Sequence, residues 1–295
     1  MIKKSAVEKN SNLAVIINIK AKNAHQAEPY IAALDAAGFN YKLYQVEPEI
    51  LAETIQTCIT KHDIILIGGG DGTIRTAAQY CAKTSKILGV LALGTLNHFA
   101  KELSLPQNPD EIITSLKEHT TTIVDLAEVN GHIFVNNSSI GFYPKFAKKR
   151  DLYTKKYNKW LSYFPSFIES FQKHESYSLM IKSDKLNILL RTSFLMISNN
   201  IYSYEFPATV KRDSFNKGLL GIYYFKYGKM RFLKIIRMFF NRKNNFEVKQ
   251  SDQPVEIHFD NQKKTTISLD GDTVKIDTPL RYRILPESLL LLTRK

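Results

Sequence analysis

A chain of 295 residues, 44% hydrophobic, is long enough for two ordinary domains; its two cysteines, Cys58 and Cys81, exclude a disulfide framework and carry no metal-site spacing. No run of 18 apolar residues occurs and Met1–Asn12 is polar without an apolar h-region, so neither a transmembrane helix nor a signal peptide is expected, and the thiols fit a reducing, cytoplasmic setting. The net charge of +13 is segregated: residues 1–125 hold 12 Lys/Arg against 13 Asp/Glu, and residues 126–295 hold 29 against 15, which aims the second half at a polyanion such as a membrane surface or nucleic acid.

In chain order, Leu13–Ile19 reads as a strand, Ala27–Ala37 as a helix ended by Gly38, Tyr41–Val46 as a strand and Ile50–Ile59 as a helix. Ile64–Ile67 is the next strand, Ile74–Ala82 a helix, Ile87–Leu93 a strand, His98–Leu103 a short helix, Asp110–Lys117 a helix and Thr121–Glu128 a strand. This alternation predicts a parallel sheet covered by helices over residues 1–125. Beyond it come short strands separated by turns: His132–Asn136, Tyr177–Lys182, Ile188–Ser198, Gly221–Phe225, Phe246–Lys249, Val255–Phe259, Thr265–Leu269 and Thr273–Ile276. They predict a mostly antiparallel β domain over residues 126–286. Leu289–Leu292 reads as a short buried strand.

Gly68-Gly69-Gly70-Asp71-Gly72-Thr73 follows one predicted strand and precedes a helix. Glycines there allow positive φ and close approach of the backbone to an anion. The N–H groups at the helix start, with roughly half a positive charge from the helix dipole, suit phosphate. Asp71 has a place in such a loop if Mg²⁺ stands between it and the phosphates, since Mg²⁺ takes oxygen ligands and is often held by a carboxylate plus phosphate. No Gly-Lys-Ser/Thr follows and the glycine spacing is not that of the dinucleotide fingerprint, so neither of those loops is present. A tight turn capped by Asp is the alternative. A second loop, Gly94-Thr95-Leu96-Asn97, follows the neighbouring strand. Loops at the carboxyl ends of adjacent parallel strands share one crevice. Thr95 and Asn97 fit contact with phosphate or adenine, and fit helix capping equally. Asp125 ends the run Thr122-Ile123-Val124 and needs a partner: a metal, a cap or a salt bridge. Asp270-Gly271-Asp272 reads either as a hairpin turn or as a pair of functional acids.

Together these stretches resemble the catalytic domain of diacylglycerol-kinase-type lipid kinases, the soluble bacterial branch above all. The matching stretches are Gly69–Thr73, Leu93–Asn97 with Phe99-Ala100-Lys101, Asn136–Gly141 and Leu269–Asp272. The resemblance implies an α/β nucleotide domain, a β-sandwich domain, a cleft between them, and a final strand, about residues 287–295, that returns to the first domain. It also implies transfer of the ATP γ-phosphate to a lipid hydroxyl. Asn18, Gly68, Gly69, Gly70, Asp71, Gly72, Thr73, Gly94, Thr95 and Asn97 would bind the nucleotide. Asp71 and Asp125 would organise Mg²⁺, and Asp270 would take the hydroxyl proton with Asp272 in support.

The chain departs from the family pattern at four places. Asn18-Ile19-Lys20-Ala21-Lys22 lacks the usual Pro and Gly of the first phosphate loop, which leaves Lys20 and Lys22 as candidate point charges. His98 stands where relatives carry an acid, and Asn216-Lys217-Gly218 replaces an Asp-Asp-Gly turn that holds a structural Mg²⁺, so no metal is expected there. Asp272 replaces a Glu.

Two segments suit a bilayer. Lys229–Lys243 puts Phe232, Leu233, Ile235, Ile236, Phe239 and Phe240 on one helical face and Arg231, Lys234, Arg237 and Arg242 opposite. Lys145–Phe171 mixes cations with Tyr153, Tyr157, Trp160, Tyr163 and Phe164. A solvated basic face, or aromatics stacked on bases, is the alternative for each. The expected protein is an ATP- and Mg²⁺-dependent lipid kinase at the cytoplasmic membrane surface, without a nucleic-acid partner and with a homodimer left open. A kinase for a soluble alcohol, nucleotide or sugar, and a non-catalytic lipid- or nucleic-acid-binding module are the competing readings.

Overall fold

The computed structural model describes residues 12–95, 97–141, 176–205, 209–212, 214–225, 246–260 and 262–295. The segments Lys145–Phe171 and Lys229–Lys243, and Leu96 of the second loop, lie outside the described residues. The chain divides into two compact units, Met1–Leu126 with Pro286–Lys295, and Ala127–Leu285.

The first unit alternates strands and helices: β1 (Leu13–Asn18), α1 (Glu28–Ala36), β2 (Tyr41–Val46), α2 (Pro48–Lys61), β3 (Ile64–Gly69), α3 (Asp71–Cys81), β4 (Ile87–Ala92), α4 (His98–Glu102) and α5 (Pro109–Glu118). Its sheet has the order β2-β1-β3-β4, all parallel. Every residue of β1 and β3 is buried, the continuous apolar run expected of a parallel sheet covered on both faces. Leu13, Val15, Ile17, Leu66 and Leu91 pack against Tyr30 and Leu34 of α1 and Ile112 and Leu116 of α5. α2 and α3 pack on each other, and α3 lies on β3 and β4. The ends are set locally. Gly38, at φ +72°, stops α1 with its N–H on Asp35 O, and Phe39 N–H returns to Leu34 O. Asn108 Oδ1 caps α5 at Glu111 N–H, 2.9 Å, while Glu111 Oε2 takes Gln107 N–H, 2.8 Å.

The strand β5 (Thr121–Val129) begins in the first unit and ends in the second. The second unit continues with β6 (His132–Phe134), β7 (Asn137–Gly141), β8 (Tyr177–Lys182), β9 (Asn187–Thr192), β10 (Phe194–Asn199), β11 (Tyr202–Glu205), β12 (Thr209–Arg212), β13 (Leu220–Phe225), β14 (Phe246–Ser251), β15 (Val255–Phe259), β16 (Lys264–Leu269) and β17 (Asp272–Asp277). β18 (Leu280–Leu292) starts in this unit and ends in the first, where Leu290 and Leu291 pair in parallel with Ile87 and Leu88 of β4. In the second unit one sheet runs β14-β13-β10-β7-β16-β17, antiparallel at every step. The opposing layer pairs β18, β15, β8 and β9, again antiparallel. Ile140, Leu195, Ile197, Ile222 and Ile267 of one sheet share a core with Leu179, Ile181, Ile257 and Tyr282 of the other. This is the α/β unit plus antiparallel sandwich that the sequence predicts.

Two local expectations are corrected, and one element is new. The single strand over Ile188–Ser198 is two, β9 and β10. Thr192 Oγ1 donates to Phe194 O at 2.8 Å and accepts Phe194 N–H at 3.2 Å, so a side chain displaces the ladder there. The short strand Leu289–Leu292 is the end of the 13-residue β18. The hairpin β11–β12 was not foreseen.

Candidate functional site

The carboxyl ends of β1, β3 and β4 lie along one edge of the parallel sheet. β3 runs through Gly69, so Asp71, Gly72 and Thr73 are the first turn of α3 and only Gly70 lies between strand and helix. The first helical bond is Ile74 N–H to Gly70 O, 3.0 Å, and the N–H groups of Asp71–Thr73 precede it. Positive φ is not what these glycines supply: among the described residues the positive-φ glycines are Gly38, Gly131, Gly141, Gly218 and Gly271. They supply closeness instead. A Cβ on Gly94 would sit 2.5 Å from Gly70 Cα and 2.6 Å from Asn97 Oδ1, and one on Gly69 would sit 2.5 Å from the Thr73 side chain. The two loops therefore abut backbone to backbone.

Side chains brace this junction. Asn18 Nδ2 donates to Thr73 Oγ1 at 3.0 Å, and Asn18 Oδ1 accepts Lys20 N–H at 3.0 Å. Asn23 Nδ2 donates to Gly94 O at 2.9 Å, and its N–H to Leu93 O at 3.1 Å. Asn97, at φ +51°, folds back on its own loop: Oδ1 accepts Gly94 N–H at 2.9 Å while Nδ2 donates to Ala92 O at 2.9 Å and Gly94 O at 3.3 Å. Both amide hydrogens are occupied, so Asn97 builds the loop and makes no side-chain cap. Thr95 beside it is exposed. Asp71 Oδ1 accepts Phe99 N–H at 3.3 Å, which ties the first loop to the start of α4; His98 is exposed at that start. Lys20 Nζ reaches Glu47 Oε1 at 3.4 Å on the surface.

The remaining acids stand elsewhere. Asp125 is 1% exposed, and its Oδ1 accepts Glu287 N–H at 2.8 Å. Glu287 has φ +46° and follows Pro286, which has no N–H, so Asp125 satisfies an amide at a kink in β18. Asp270, at φ +50° in the β16–β17 turn, accepts three backbone N–H groups: Val135 on Oδ2 at 2.8 Å, and Asn136 and Asn137 on Oδ1 at 2.7 and 3.0 Å. Asp272 opens β17 and is exposed. Among the described residues, no three His, Cys, Asp or Glu side chains converge on a metal-sized point.

The catalytic-domain profile of the diacylglycerol kinase family matches residues 12–129. Over these residues the chain is similar to a diacylglycerol kinase catalytic domain. The chain is 23% identical over 239 residues to the "Putative lipid kinase" of Staphylococcus carnosus, 78% of this chain and 77% of that one. It is 30% identical over 146 residues to the "Probable lipid kinase YegS-like" of Pectobacterium atrosepticum, 46% of this chain and 48% of that one. In fold it is similar to a solved "putative diacylglycerol kinase" from Bacillus anthracis, with TM-score 0.74 and 21% identity over 96% of this chain and 97% of the other. The chain is thus a homologue of bacterial lipid kinases.

Within the first unit the structure brings together Asn18, Gly68–Thr73, Gly94, Thr95 and Asn97 at one sheet edge. It ties Asp125 to the β18 kink. Sequence reasoning missed Asn23 and the Phe99 N–H as braces of the two loops. An Asn just past a strand end was the only signal for the first, and a main-chain donor leaves none.

Proposed function

We propose that this chain is an ATP- and Mg²⁺-dependent lipid kinase that transfers the γ-phosphate to the hydroxyl of diacylglycerol or a related lipid alcohol. The observation that carries the reading is the abutting pair of loops after β3 and β4, with the Asp71 carboxylate held at the α3 N-terminus, inside the domain that matches the kinase family. The N–H groups of Asp71, Gly72 and Thr73, and the exposed Thr95 hydroxyl, are donors suited to ATP phosphates.

Mg²⁺ fits the donor chemistry, because Asp71 offers a hard carboxylate oxygen and the phosphates supply the rest. Bound there, it would neutralise phosphate charge during transfer. Asp125, which also accepts Glu287 N–H, is assigned a supporting place in the Mg²⁺ network, partly through water. In the transfer, the lipid hydroxyl oxygen bonds to the γ-phosphorus, the bond from that phosphorus to the bridging oxygen breaks, ADP leaves, and the hydroxyl proton passes to the Asp270–Asp272 pair. A positioned carboxylate base contributes about 10²–10⁴ in rate. Asp270 is oriented by its three N–H donors and Asp272 completes the pair.

The excess of Lys and Arg after residue 125, 29 against 15 acids, suits docking on an anionic bilayer. The test is phosphate transfer from ATP to diacylglycerol in vesicles of anionic phospholipid, for wild type, Asp71→Ala and Asp272→Asn. Transfer by wild type and its loss in Asp71→Ala supports the reading. Asp71→Ala with wild-type turnover contradicts it.

A further inference from the structure

Arg212, at the end of β12, is among the largest fully buried side chains of the second unit, at 1% exposure. A guanidinium keeps its charge in the interior, so its burial is costly unless its N–H groups are matched. Here they are matched by oxygens. Nη1 donates to Val135 O at 2.8 Å and Asn199 O at 3.0 Å, and Nη2 donates to Asn136 Oδ1 at 2.7 Å. The guanidinium lies 4.4 Å from the Phe215 ring centroid and 5.4 Å from that of Tyr202. Asn199 adds to the same grip, with Nδ2 on Val135 O at 3.0 Å and its N–H on Asn136 O at 2.9 Å.

The residues gripped this way are those that donate to Asp270. Val135, Asn136 and Asn137 give their N–H groups to the Asp270 carboxylate, and Asp270 N–H returns to Asn137 O at 2.9 Å. One three-residue segment is therefore held on its carbonyl and side-chain oxygens by Arg212 and Asn199, and on its amides by Asp270. We infer that Arg212 is a positioning residue for phosphoryl transfer, fixing Val135–Asn137 so that these amides hold the Asp270–Asp272 turn in its working geometry. The inference rests on the reading of that turn as the proton acceptor. Removing Arg212 alone takes its donors from three oxygen acceptors, which costs stability whether or not the segment serves the reaction. A displacement of about 1 Å in a catalytic group, by contrast, can cost about 10²-fold in rate.

The test compares wild type, Arg212→Lys and Arg212→Met in the vesicle assay, with amide hydrogen exchange followed at residues 135–137. The expected result is a kcat lower by about 10- to 100-fold in Arg212→Met, an ATP KM unchanged, partial recovery in Arg212→Lys, and faster exchange at Asn136 and Asn137. A folded Arg212 variant with wild-type kcat overturns the inference, as does a loss of kcat without faster exchange at those amides. If Arg212→Met does not fold, Arg212→Lys carries both readouts. If wild type transfers no phosphate to lipid, the kinase reading fails, and exchange alone decides whether Arg212 holds the segment.

Discussion

Gly94 and Asp125 show how single residues divide between building the site and using it. Gly94 has no room for a side chain, because a Cβ would meet Gly70 Cα at 2.5 Å, backbone against backbone. Gly94→Ala is therefore expected to push the two loops apart, to cost about 1–3 kcal/mol of stability, and to weaken ATP binding; a melting curve and a nucleotide titration check both. Asp125 is buried, and its Oδ1 holds Glu287 N–H. Removing it leaves the Glu287 N–H of a part-buried bond without its acceptor, a loss of about 1 kcal/mol, whereas Asn keeps a carbonyl oxygen for the same bond. Asp125→Ala should melt well below wild type and Asp125→Asn close to it. A raised Mg²⁺ requirement in Asp125→Asn, at unchanged melting temperature, is the mark of a metal-supporting role.

At the scale of elements, the parallel sheet was legible because β1 and β3 are buried on both faces and so read as unbroken apolar runs. The glycine loop was legible as a junction, but its reason was not, since the contact of Gly70 with Gly94 joins residues far apart in sequence. The same holds for Asp270. Asp-Gly at a hairpin was visible; its bonds to Val135–Asn137 cross about 135 residues and leave no local trace. The β9–β10 break depends on one Thr hydroxyl competing with the ladder, which alternation patterns do not register. In the antiparallel sheet, Ser139 of β7 faces Ser268 of β16 in register, and both buried hydroxyls lack a hydrogen-bond partner among the described residues. Ser139→Ala and Ser268→Ala should thus leave stability unchanged or raise it by about 1 kcal/mol. A clear drop in the urea midpoint of either variant would mean that the hydroxyl has a partner after all, such as a buried water.

For the whole molecule, stability should depend on pH through His62. It is 5% exposed at the end of α2, edge-on to Tyr44, with Nδ1 buried and unpartnered among the described residues. Burial first, then the nearby Lys42 and Lys61, hold its pKa below the usual 6.5, so the folded chain keeps the imidazole neutral. The unfolded chain takes up a proton as pH falls below about 6.5, so stability is full above that value and declines as pH drops toward the lower folded value. The urea midpoint should fall from pH 7 to pH 5, and His62→Gln should flatten that slope. Acid loss of equal size in the variant would assign it to other groups. The central claim, a lipid acceptor for phosphate from ATP, is tested most directly by incubating wild type with γ-labelled ATP, Mg²⁺ and a total lipid extract, then partitioning the products between organic and aqueous phases. The account predicts label in an organic-phase lipid that disappears in Asp71→Ala. Label confined to the aqueous phase, or an organic-phase signal that Asp71→Ala retains, would contradict it.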